Sequence, residues 1–181
     1  MFEGNHVRLR AYSKEDLPKA QEYLNNPKVG ASLRPTILFP YRLEDEESWY
    51  NTLNANSTSG YNFAIERKED AAYMGGCGVH QINAKNRHVS VGIFLGHQFW
   101  GKGYGTDAMR VLVDFCFQEI NLHKVKLEVF SYNERAIRSY QKVGFIEEGV
   151  LREEVYRHGK YHDCHLMSIF RKDWTSPFAK E

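Results

Sequence analysis

The sequence predicts an α/β (α+β) fold on a mixed sheet, and three observations carry that expectation. The apolar strand ending Ile93-Phe94-Leu95 runs into glycines at 101, 103 and 105, then into a helical pattern and a further strand. Strand, glycine loop, helix, strand is a right-handed crossover joining two parallel strands. Two long strands, Glu147 to Tyr156 and Tyr161 to Phe170, flank the turn Arg157-His158-Gly159-Lys160 and add an antiparallel pair. The first 53 residues read as a strand, Val7–Ala11, and two helices. A chain of 181 residues that is 42% hydrophobic can bury one good core, and no repeat or linker divides it. One domain over residues 1–181 is expected, its core spanning about 6–171.

In order along the chain, Val7-Arg8-Leu9-Arg10-Ala11 alternates as a strand. Ser13 fits a helix N-cap, with Leu17, Ala20 and Leu24 at helical spacing; Pro27, Gly30 and Pro35 are expected to end that segment. A second helix is expected from Leu43 to Leu53, with Glu44, Asp45, Glu46 and Glu47 in its first turn, where the dipole favours them. After the polar tract Asn54 to Gly60, strands are expected at Tyr61–Glu66, Tyr73–Ile82 and Val89–Leu95. The helix behind the glycine loop carries Ala108, Leu112, Phe115, Cys116 and Glu119 at i, i+4, i+7, i+8 and i+11. A strand, Lys124 to Phe130, follows. Asn133 as N-cap and Gly144 as terminator then bound a short helix whose inward face holds Ala136, Tyr140 and Val143.

The glycine loop is the most informative chemical feature. Glycines allow close backbone approach and torsions closed to other residues, so several N–H groups can turn toward one anion, and the following helix adds its positive end. The spacing G-x-G-x-G is neither a P-loop, since Lys102 sits between the glycines, nor the G-x-G-x-x-G of a dinucleotide fold. A glycine-rich turn without a ligand is the alternative.

Composition excludes several classes. The 24 basic and 23 acidic residues leave a net charge of +1, which argues against nucleic-acid binding by bulk electrostatics. No apolar run approaches the ~20 residues that span a bilayer, and the amino terminus lacks a leader pattern, so no membrane partner and a cytoplasmic location are expected. Cys77, Cys116 and Cys164 are an odd number without a Cys-x-x-Cys pair and read as reduced thiols. No metal site is expected: on a strand His165 points away from His162 and Cys164.

Two motifs in order, Trp100-Gly101-Lys102-Gly103-Tyr104-Gly105-Thr106-Asp107-Ala108 and Asn133-Glu134-Arg135-Ala136-Ile137-Arg138-Ser139-Tyr140-Gln141-Lys142-Val143-Gly144-Phe145, resemble the GNAT superfamily of N-acetyltransferases. The opening Val-Arg-Leu-Arg, the Asn-Leu-His-Lys before the central strand, Glu148-Gly149-Val150-Leu151-Arg152 and Gly159-Lys160-Tyr161-His162-Asp163 resemble its ribosomal-protein N-terminal and spermidine acetyltransferase branch. The resemblance implies a mixed sheet splayed into a V-shaped cleft, with helices on both faces and acetyl-CoA in the cleft. It further implies that main-chain groups of Ile93, Phe94 and Leu95 meet the pantetheine arm. The pyrophosphate then falls on the amides of Gly101, Lys102, Gly103, Tyr104 and Gly105 with Thr106 at the helix start, and Asn133 touches the cofactor. Trp100 departs from the Gln or Arg common at the first loop position and either packs in the core or meets the cofactor.

The implied activity is acetyl transfer from acetyl-CoA to a primary amine by direct attack in a ternary complex. The acceptor could be a peptide N-terminus, a polyamine or another small amine. Tyr140 stands where the family protonates the leaving thiolate. Ser90 occupies a position where relatives often carry Glu, so the base stays open among Glu128, His80 and a water chain. The acidic run Glu44 to Glu47 serves either substrate or helix capping. A non-catalytic CoA sensor of the same fold is the alternative function, and a homodimer through the last two strands is a further implication.

Overall fold

The computed structural model of the chain describes residues 2–57 and 59–178. Strand β1 (Phe2–Glu3) pairs antiparallel with β2 (Val7–Arg10), whose alternation buries Val7 and Leu9 completely. A helical turn at Lys14–Asp16 leads into α1 (Leu17–Asn25), and the Ser13 N–H donates to the Asp16 carboxylate at 2.9 Å. Pro27 ends α1 as expected but opens a helix the sequence reading placed nowhere, α2 (Pro27–Leu33). The reason is local. Proline at the first helical position gives up an N–H that has no intrahelical partner, and the Asn26 side chain accepts the Lys28 N–H at 3.0 Å.

Helix α3 (Leu43–Tyr50) stops short of the expected Leu53, and residues 51–52 form a turn. Strands β3 (Tyr61–Arg67), β4 (Tyr73–Asn83) and β5 (His88–Leu95) form an antiparallel meander. Then come α4 (Tyr104–Gln118), β6 (Lys124–Phe130), α5 (Glu134–Val143), β7 (Ile146–Arg157) and β8 (Lys160–Phe170). His158 and Gly159, both at positive φ (52° and 80°), turn β7 into β8, as a two-residue hairpin requires.

Among the described residues the sheet has eight strands in the order β1-β2-β3-β4-β5-β6-β8-β7, and β5–β6 is its parallel pair. That pairing runs only from His88↔Lys124 to Ser90↔Lys126. Beyond Ser90, β5 keeps β4 as its neighbour while β6 keeps β8, so the sheet opens between them. The splayed cleft begins there.

The period of two sorts β3 to β5 between two faces. Phe63, Val79, Val91 and Leu95 pack into the core with α4, whose Phe115 ring meets Phe63 edge-on at 5.1 Å. Asn62, Gly76, Gly78, His80, Gly92 and Phe94 face the opposite way, toward residues of α1 and α3. Across the cleft, Tyr132 donates to the Ala31 carbonyl at 2.6 Å, and Arg157 to the carbonyls of Arg34 (2.7 Å) and Thr36 (3.0 Å). These bonds tie the β6–β8 half to the segment that closes the front of the first half.

Candidate active site

The site starts at the end of β5, where the chain leaves the sheet through a helical turn at His97–Phe99. Trp100 is half-buried, and its indole N–H donates to the Leu95 carbonyl at 2.9 Å. Gly101 and Gly103 take left-handed torsions, φ 73° and 86°, and a Cβ at either would have nothing within 4 Å. Glycine here answers both demands, a backbone closed to L residues and open space above it. Gly103 is the N-cap of α4 and contributes no side chain, so the first amides of a 15-residue helix face that space without intrahelical acceptors. An anion fits there.

Asp107 in the first turn would oppose an anion if it faced the cradle. It does not: its buried carboxylate accepts the N–H groups of Asn5 (3.1 Å), His6 (2.7 Å) and Val7 (3.1 Å) and anchors β2 instead. The Thr106 hydroxyl is bonded to that of Ser139 at 2.8 Å, which fixes α5 against α4.

Two adjoining hollows then continue from the cradle into the splay. Leu95, Trp100, Gly101, Gly103, Gly105 and Thr106 line the outer one with Arg135, Arg138 and Lys142. Ile93, Phe94, Leu95, Asn133, Ala136 and Tyr140 line the inner one. Of the expected cofactor residues the structure thus brings together Ile93, Phe94, Leu95, Trp100, Gly101, Gly103, Gly105, Thr106 and Asn133. Two side chains fall outside. Lys102 is exposed and lines neither hollow, and the Tyr104 ring turns to Phe99 (6.4 Å, edge-on), leaving only its amide at the helix start.

Arg135 is a site residue that the sequence reading passed over. Its guanidinium lies 3.7 Å from the centroid of the Trp100 ring and lines both hollows. Burial holds its pKa below the usual arginine value, with Tyr140 acting the other way. Trp100 therefore acts as a platform for a cation at the cradle's edge. An arginine stacked on a tryptophan 35 positions away has no signature in spacing.

Asn133 caps α5 by accepting the Ala136 N–H at 3.3 Å, and Gly144 closes it at φ 114°. Between them Tyr140 meets Phe145 edge-on at 6.0 Å, and its hydroxyl has no hydrogen-bond partner among the described residues. Burial pushes the hydroxyl up to about 12, against the opposing pull of Arg135. It is a protonated donor at neutral pH.

On the other side of Phe94 lies a cavity of about 460 Å³ under α1 and α3. Tyr12, Tyr41 and Trp49 form aromatic walls, and Glu46 enters from α3 only 6% exposed. Desolvation and then Asp45 raise the Glu46 pKa, against the pull of Arg34. The acidic run is therefore divided. Glu44 and Glu47 are exposed, Asp45 accepts the Arg42 N–H and guanidinium at 2.8 and 2.9 Å, and Glu46 is the buried one. Of the base candidates, Glu128 is exposed on β6 and lines none of these hollows, whereas His80 lines this cavity.

Comparison with known proteins agrees with this geometry. The family described as Acetyltransferase (GNAT) domain matches residues 6–146. The spermidine N(1)-acetyltransferase of Escherichia coli K12 is 30% identical over 176 residues, covering 97% of this chain and 92% of that protein. A putative ribosomal N-acetyltransferase of Bacillus subtilis is 27% identical over 94% of each chain. The crystal structure of a Vibrio cholerae spermidine N-acetyltransferase in complex with CoA and spermine superposes with a TM-score of 0.83 at 26% identity, covering 93% of this chain and 97% of that one. An open sheet, an anion cradle at a helix start, a protonated tyrosine in the splay and these matches lead to one conclusion: the chain belongs to the GNAT acetyltransferases, which move an acetyl group from acetyl-CoA to an amine.

Proposed function

We propose that the acceptor is a positively charged primary amine of the polyamine type, seated in the cavity beside Phe94 with Glu46 as its anionic anchor. The observation that carries this reading is a carboxylate 6% exposed in an aromatic-walled cavity, with no hydrogen-bond partner among the described residues. The carboxylate opens into the cavity with no protein donor among those residues, so an arriving ammonium gains an ion pair there while the rings of Tyr12 and Trp49, edge-on at 4.9 Å, add cation–π attraction. The relatives that act on spermidine support the same class.

In this reading the splayed main chain of Ile93, Phe94 and Leu95 receives the pantetheine arm. The amides from Gly101 to Thr106 receive the pyrophosphate, and Asn133 lines the far wall. A β5 amide near Phe94 polarises the acetyl carbonyl, and Tyr140 gives its proton to the departing sulfur. The protein works in the cytoplasm, consistent with three buried free cysteines. It pairs through the exposed edge strand β7, which displays Ile146, Val150, Leu151 and Tyr156.

Thiol release with spermidine as acceptor tests the anchor. Glu46→Gln should raise KM for spermidine at least ~10-fold, since a lost charge-assisted hydrogen bond is worth about 1.5–3 kcal/mol, while acetyl-CoA affinity stays within about twofold. An unchanged KM would move the acceptor elsewhere.

A further inference from the structure

We infer that His80 is the general base of the transfer, working from β4 across the strand pair from Ser90. The inference rests on the amine-acetylating reading above and adds the residue that accepts the proton. His80 and Ser90 are direct partners in the β4–β5 ladder, so both lie on the sheet face that carries Gly92 and Phe94. Position 90 itself offers only a hydroxyl, so on this face the base comes from the adjacent strand.

The ring shares a sheet face and the acceptor-side cavity with Phe94. A Cβ at Gly78 would lie 3.0 Å from its Cε1, and one at Gly92 would lie 3.9 Å from its Nε2. The imidazole therefore lies over two facing glycines with Nε2 beside Gly92, two residues from Phe94 on the same face of β5. A side chain at Gly78 would crowd the ring, whereas Gly92 leaves it ordinary van der Waals clearance. A register shift begins after His80, with Gln81 at φ 53°, and such bulges re-aim the side chains beside them. The imidazole makes no hydrogen bond to the described residues, so both ring nitrogens are available.

The titratable and charged groups that face the cavity from the elements around it are Tyr12, Arg34, Tyr41, Asp45 and Glu46. Desolvation lowers the His80 pKa below the ordinary imidazole value, so the ring is neutral and accepting at pH 7. Its outer edge is exposed, which lets a proton leave for solvent.

The proton balance closes with these groups. An ammonium sheds two protons overall. Nε2 takes the first, directly or through one water, and passes it to solvent. The lone pair freed on nitrogen forms the C–N bond as the C–S bond breaks. The second proton, lost from nitrogen as the amide forms, replaces the one Tyr140 gives to sulfur.

The test compares wild type with His80→Gln by calorimetry with acetyl-CoA, by thiol release with spermidine from about pH 5 to 9, and by NMR titration of the imidazole. Acetyl-CoA affinity should stay within about twofold and KM for spermidine should change little. Turnover at pH 7 should fall about 10²-fold or more. The deficit should shrink toward pH 9 as the free amine becomes neutral, and added imidazole should restore part of it. The wild-type acid limb should follow the His80 resonance and be absent from His80→Gln. Unchanged turnover in His80→Gln, with Tyr140→Phe impaired, would overturn the role of His80 and leave the transfer reading intact. Lost acetyl-CoA binding in His80→Gln would overturn it in favour of a structural role. No thiol release by wild type with spermidine, or with a peptide bearing a free α-amine, would bring down the transfer reading and this one with it.

Discussion

Gly103→Val separates two ways in which the cradle could hold a pyrophosphate. Gly103 sits at φ 86° with open space above it, and it precedes the amides of Tyr104, Gly105 and Thr106. Valine there carries a strain of about 1–2 kcal/mol or more in the left-handed region and places methyl groups in the space those amides face. Charge-assisted hydrogen bonds are worth about 1.5–3 kcal/mol each, so blocking even two of them costs about 3 kcal/mol, a loss of more than 10²-fold in affinity. Lys102, exposed and outside both hollows, is the control. A single cation about 8 Å from a phosphate in water contributes about 0.5 kcal/mol, and salt reduces it further, so Lys102→Ala should weaken binding about twofold. Calorimetry with acetyl-CoA measures both variants, while thermal melting without ligand isolates the backbone strain of Gly103→Val. Similar affinity losses in the two variants would show that the loop binds through side-chain charge and would refute the amide cradle.

Tyr140→Phe should lower turnover about 10²-fold and leave acetyl-CoA affinity within about twofold, because a thiol leaving group with a pKa near ~8.5 needs only modest help; unchanged turnover in single-turnover thiol release would make solvent the proton source. Asp107→Ala should destabilise the fold by about 3 kcal/mol, since one buried carboxylate satisfies three N–H groups of the segment leading into β2. A loss below about 1 kcal/mol in urea unfolding would mean that water replaces it. Sedimentation at micromolar concentration should find a dimer that Leu151→Lys, on the exposed face of β7, converts to monomer; a monomeric wild type would reject the edge-strand interface.

Periodicity gave the strand and helix positions because each of those segments has one face to bury. Lys124–Phe130 is a strand with the expected bounds, and Asn133 and Gly144 bound α5 because N-cap and left-handed C-cap chemistry is local. Helix α2 escaped because Pro27 reads as a stop as readily as a start, and only Asn26 beside it decides. On α4 the expected stripe is buried at Ala108, Leu112, Phe115 and Cys116, yet Met109, Val113 and Phe117 are buried too. The segment after β8 covers that outer side: Trp174 donates to Asp114 at 3.0 Å and its ring tilts onto Phe117 at 6.2 Å. Contacts over 60 positions leave no periodic trace.

The same distinction divides the active site. The cradle is a property of consecutive residues, so glycines at alternate positions before a helix announce it. The cavity proposed for the acceptor is assembled from Tyr12, Glu46, His80 and Phe94, four separate segments whose meeting depends on register and on which face of α3 turns inward. Glu46 shows the consequence. Within Glu44 to Glu47 all four residues favour a helix start equally, and only packing leaves one of them beneath the surface while Asp45 caps the helix and its neighbours meet water. A donor shared across a family can be held by a contiguous loop, whereas the acceptor is read by side chains that topology gathers. If Glu46 anchors the acceptor as proposed, substrate choice can change through that single position without any change in the motifs that identify the fold.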